Sequence, residues 1–126
     1  MGDSIHIVLD ETGMVAAGVG NQLASGIIDR ANSDAGWHLY APAAALVEAD
    51  RIRPGTAEHL AAIPALIVVD LDLPAALALG KQDTWGPAHA RFAAEPTPEL
   101  PDGAFIATTD TARWEDQPVR LFDLNP

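Results

Sequence analysis

Three short apolar runs that each close on an acid constrain this chain more than any other feature. Ile5-His6-Ile7-Val8-Leu9 runs into Asp10, Leu66-Ile67-Val68-Val69 into Asp70, and Ala104-Phe105-Ile106-Ala107-Thr108 into Thr109-Asp110. All three lack Gly and Pro and are rich in aliphatic or β-branched residues, so each reads as a buried strand. Helical patterns separate them, which argues for a parallel sheet with right-handed crossovers. The expected fold is a three-layer α/β/α sandwich around a mainly parallel sheet of four to five strands. At 126 residues the chain suits one domain spanning 1–126.

Between the strands, Asn21 caps a helix to about Asn32, with Leu23, Ile27 and Ile28 on one face. Gly13 to Gly20 reads as a loop or a loose turn, and Trp37 to Tyr40 as a short extended piece. Pro42 opens a helix to about Ile52, burying Ala43, Leu46 and Val47, with Glu48 at the border of that face. Thr56 can cap a short helix to about Ile63, Asp72 one over Pro74–Leu79, and Asp83-Thr84 one over Trp85–Glu95. In the last, Trp85, Ala88, His89 and Phe92 share a face. The prolines of 96–103 make a loop, and Pro118–Phe122 a terminal strand.

Composition excludes several functions. The absence of cysteine rules out disulfides, thiol nucleophiles and zinc–thiolate sites, and fits a reducing, cytoplasmic setting. No apolar run approaches the roughly 18 residues of a membrane span. Eighteen acids against seven Lys and Arg give a net charge of −11, which repels polyanions at long range. The same field suits divalent cations, a basic protein partner or simple solubility.

In a parallel sheet, Asp10, Asp70 and Asp110 all arrive at the edge where ligands bind. If the strands before Asp10 and Asp110 are neighbours, these acids stand roughly 5 Å apart at the backbone. Such a pair needs a proton or a cation between its members. Mg2+ or Mn2+ prefers oxygen ligands, and two such ions can activate a water for phosphodiester hydrolysis. Capping of helices is the plainer role for the same acids.

Leu9-Asp10 after an apolar strand, Glu48 within Ala-Leu-Val-Glu-Ala, and Ala-Thr-Thr-Asp at 107–110 resemble the PIN domain. Within it, the likeness is to the small toxin-type ribonucleases of toxin–antitoxin pairs, the VapC-like proteins, and runs from about Ile5 to Leu124. The resemblance implies a metal-dependent endoribonuclease acting on single-stranded RNA, with Asp10, Glu48, Asp83 and Asp110 as catalytic acids holding Mg2+ or Mn2+. It places Thr108 and Arg113 beside the substrate, and implies an antitoxin partner and a homodimer. Two positions depart from the pattern. Glu11-Thr12 follow the first acid where the family has Thr/Ala-Ser, and Thr84 competes with Asp83 for the third acidic place.

Two other readings stand beside it. The first is a catalytically inactive PIN-like interaction or regulatory module. The second is a phospho-receiver-like domain, with Asp10-Glu11 holding magnesium beside Asp70; its switch lysine has only Arg120 as a substitute. His89 reads as a core or interface histidine, and His6, His38 and His59 show no metal-ligand spacing.

Overall fold

The computed structural model describes residues 4–126. Its sheet is built from β1 (Ile5–Leu9), β2 (Trp37–Pro42), β3 (Leu66–Val69), β4 (Phe105–Thr108) and β5 (Arg120–Asp123). The spatial order is β3-β2-β1-β4-β5, and every pairing is parallel. The Ile5 run is therefore the central strand, flanked on both sides.

Alternation along β1 divides the core. Ile7 and Leu9 face one side and pack with Met14, Ala24, Ala45 and Leu60, while Val8 faces the other with Ile106, Ala90 and Trp114. The first side is covered by α1 (Glu11–Gly18), α2 (Gln22–Ser33), α3 (Ala43–Ile52) and α4 (Thr56–Ala61), and the second by α6 (Gly86–Ala94). A further helix, α5 (Leu73–Leu79), leans on α6. Helices on both faces make the three-layer sandwich expected from the alternation of strands and helices. Among the described residues no helix is long and apolar enough to cross a membrane.

Caps read from sequence hold at two helices. The Asn21 side chain accepts from the Ala24 amide, and that of Asp72 from Ala75. Elsewhere the structure corrects the reading. The segment expected as a loop from Gly13 is the helix α1, capped by Asp10 and buried on most sides, so no polar stripe betrays it. Trp37–Pro42 is a full interior strand rather than a short extended piece. Leu66–Val69, expected to be buried, is the sheet's edge, with Ile67 and Val68 exposed.

Helix faces also shift. The buried face of α3 is Ala44, Ala45 and Ala49, because small residues let it approach β2 and α6 closely; Val47 points outward. Gly55, at φ 95°, rather than Thr56, caps α4. The cap of α6 is Trp85, with no side-chain bond, so Asp83 and Thr84 lie in the preceding turn. Trp85 itself is 66% exposed and does not share the buried face of His89.

Candidate functional site

β1 and β4 are neighbours, with Leu9 opposite Ala107, so Asp10 and Asp110 leave the sheet on adjacent strands at the same edge. Asp10 is fully buried. Its Oδ1 accepts from the Gly13 amide at 2.8 Å and from the Thr12 hydroxyl at 2.7 Å. Its Oδ2 accepts from the indole Nε1 of Trp114 at 3.1 Å. Local sequence explains the first two bonds, since an acid at an N-cap faces the first-turn amides. The third comes from 104 residues away and ties the turn after β4 to the end of β1.

Asp110 caps a 3-10 turn over Thr111–Trp114, which also carries Arg113. The Arg113 guanidinium sits between three acids. Nε donates to Asp110 Oδ2 at 3.1 Å, Nη1 donates to both oxygens of Glu11 at 2.6 and 2.7 Å, and Asp10 Oδ2 lies 3.8 Å from Nη1. Burial, the largest influence on Arg113, works against its charge. Glu11, Asp10 and Asp110 outweigh it and hold the guanidinium above its ordinary pKa.

Two threonines lock the floor. Thr12 donates its only hydroxyl proton to Asp10, so in the 3.0 Å contact between Thr108 and Thr12 the Thr108 hydroxyl is the donor. Thr12 also accepts from the Thr109 amide, and Thr108 from the Asp110 amide. Thr108, expected beside a substrate, is fully buried and committed to this network. Arg113, expected there too, is turned inward onto the acids.

The other two predicted acids, Glu48 and Asp83, make no ion pair with Arg113. Glu48, half-buried on α3, lies over Gly86 at the start of α6 and lines a cleft of about 340 Å3 with Ala43, Val47, Arg51, Leu71 and Trp85. Asp83 is exposed in the turn before Trp85. Among the described residues, no three of His, Asp or Glu are arranged to hold a metal ion. The donor chemistry agrees, because Asp10 accepts three hydrogen bonds and Glu11 and Asp110 already share the Arg113 cation. As arranged, these residues do not fit Mg2+ or Mn2+.

Thr12 and Trp114 belong to this site without being predicted for it, and Glu11, expected only in the receiver-like reading as a magnesium holder, pairs here with Arg113. The adjacent pairs Asp10-Glu11 and Arg113-Trp114 were the available signal, but nothing local says that they meet. The receiver-like reading meets an obstacle in topology. Receiver-type sheets have the order 2-1-3-4-5. Here β3 is the edge and Asp70 follows it, with β2 standing between β3 and β1. Arg120 bonds the carbonyls of Asp102 and Gly103 and stacks on Phe105.

The histidines have structural places. His89 is fully buried and its Nδ1 accepts from the Ala44 amide at 3.1 Å, joining α6 to the start of α3. Its Nε2 is the sole buried side-chain nitrogen or oxygen without a partner among the described residues. Burial lowers its pKa, against the Asp70 carbonyl and the Asp72 carboxylate, which pull upward. His6 and His38, facing each other across β1 and β2, stack at 4.5 Å. Compared with known proteins, the chain matches no family model, no curated protein and no solved structure.

Proposed function

We propose that this chain is a PIN-like protein-interaction module that receives a basic, apolar-faced segment of a partner protein. The observation that carries this reading is the cleft between α3 and the turn before α6. Val47 and Trp85, 53% and 66% exposed, flank it together with Leu71. An exposed tryptophan among aliphatic residues is the usual anchor of a protein contact. Its surroundings choose the partner's charge: Glu48 lines the cleft, Asp70 and Asp72 flank Leu71, and Asp83 precedes Trp85. Arg51 opposes them, but the whole chain carries −11. A second copy would bring like-charged rims together, whereas a cationic segment is attracted. An antitoxin with a basic tail is one partner of that chemistry, and the cytoplasm belongs to the same proposal.

The test uses a synthetic amphipathic peptide of Leu and Arg, titrated while Trp fluorescence and peptide anisotropy are followed. Binding is expected for this peptide and not for its Leu/Glu counterpart. W85A should weaken it by roughly 30-fold or more, the loss of one hot-spot side chain. Equal binding of both peptides, or binding indifferent to W85A, refutes the proposal.

A second reading is a metal-dependent endoribonuclease of the toxin type, cutting single-stranded RNA with Mg2+ or Mn2+. What supports it is the adjacency of Asp10 and Asp110 at one sheet edge. Manganese-dependent cleavage of single-stranded RNA that D110N abolishes would establish it. No cleavage by protein whose melting temperature ignores manganese would remove it.

A further inference from the structure

We infer that Arg113 is the resident counter-ion of the Asp10–Glu11–Asp110 pocket, so that this chain neutralises its acids with a guanidinium of its own in place of a divalent metal. The inference is independent of the peptide cleft, and its failure would return the metal-dependent reading without touching that cleft.

Carboxylates taken out of water need donors or a cation, and a protein can supply either. Asp10 receives three conventional donors: an amide, a hydroxyl and an indole. The indole decides what else can approach. Its N–H points at Oδ2 with the positive end of its dipole, on the side where Arg113 Nη1 also stands. The indole takes one acceptor position of Oδ2, and the Arg113 guanidinium stands 3.8 Å from the same oxygen. A metal ion binding there would have to displace that guanidinium beside a tryptophan that is 2% exposed and part of the core. A hard divalent ion needs its oxygens at about 2.1 Å around one point. A guanidinium instead spreads five donors across a plane and can serve acids that point in different directions. Arg113 uses that geometry, reaching Asp110 through Nε and Glu11 through Nη1.

Placement on the chain makes the device self-contained. The cap Asp110, the cation Arg113 and the lid Trp114 lie in one 3-10 turn. Its Arg113 amide bonds Asp110 Oδ1 at 3.4 Å, and the Asp110 amide bonds Thr108. The turn following β4 therefore delivers the counter-ion and the closure together. Glu11 completes the arrangement: its first-turn position on α1 gives Arg113 a paired partner beside Asp10.

The test is melting and manganese binding on the full chain, with manganese and EDTA buffers matched in ionic strength because a chain at −11 responds to any salt. Wild type is expected to melt within about 1 °C of the same temperature in EDTA and in millimolar manganese. Its paramagnetic resonance titration should show no sequestered ion. R113Q should melt roughly 10 °C lower in EDTA, because it leaves the buried Glu11 carboxylate without its partner and takes the nearby cation from Asp10 and Asp110. Manganese should restore part of that loss, since the vacated acids then have a substitute cation. If R113Q does not fold, R113K keeps the charge without the fork and should melt between the two extremes, while the wild-type titration still decides. Manganese that stabilises wild type by several degrees, or an R113Q chain that melts like wild type, overturns the inference.

Discussion

Asp10 shows how much of a site can be hidden in one carboxylate. Three donors converge on it, so Asp10→Asn must turn an amide N–H toward the Gly13 and Thr12 donors or toward the Trp114 indole. The expected cost is about 2–3 kcal/mol, that of a broken buried bond with a donor facing a donor. Urea unfolding of D10N measures it. His89 carries a pH dependence of its own. Burial lowers its pKa, and an unfolded histidine titrates near 6.5. Its contribution to stability is therefore full above about pH 6.5 and lost as pH falls through the lowered folded value. His6 is lowered too, by burial first and His38 second. Melting temperature should thus decline from pH 7 toward 5.5, and H89Q should decline less steeply. At this scale the sequence exposed the acids better than their partners. Asp10 and Asp110 could be placed because a strand end and a cap motif lie beside each. Arg113 meets Glu11 across 102 residues, a pairing that no local pattern encodes.

Among the elements, α2 and α5 were legible because Asn21 and Asp72 announce them with caps. α1 was not, because a helix buried on most sides has no polar face and its glycines look like loop. Gly13 has a reason to be there: a Cβ at this position would collide with the backbone carbonyl of Ala107 on β4. Replacing a helical glycine by alanine ordinarily gains up to ~1 kcal/mol in propensity. Here the carbonyl belongs to a central strand and cannot move, so overpacking wins. Gly13→Ala should cost about 2–3 kcal/mol net, whereas Gly26→Ala in α2, where the added Cβ meets nothing within 4 Å, should be neutral or stabilising. Thermal melts of the two variants separate close approach from propensity. The same close packing misled the reading of α3. Alanines do not advertise a buried face, so the sequence pattern points the larger Val47 inward, although the space against β2 and α6 admits only Ala44, Ala45 and Ala49.

For the whole molecule, parallel order and charge act together. The order β3-β2-β1-β4-β5 leaves β3 at the rim with Ile67 and Val68 exposed, and the chain then runs through Asp70-Leu71-Asp72 to the cleft. Apolar surface and carboxylates thus alternate along one side of a protein with a net charge of −11. Alternation of this kind predicts two separable contributions to binding a cationic segment. Attraction between charges is screened when the Debye length falls from about 14 Å near 0.05 M salt to about 4 Å near 0.5 M. Burial of Trp85 and Val47 is not. Affinity for the Leu/Arg peptide should therefore fall on the order of tenfold across that range and then level off. E48Q combined with D83N should flatten the salt dependence while leaving the high-salt affinity intact. W85A should do the reverse, lowering affinity at every salt concentration with the slope preserved. A common response of both variants would mean that the acids and the tryptophan do not serve one bound segment. Distinct responses would give Asp83, exposed two residues before Trp85, its role at the rim of the cleft.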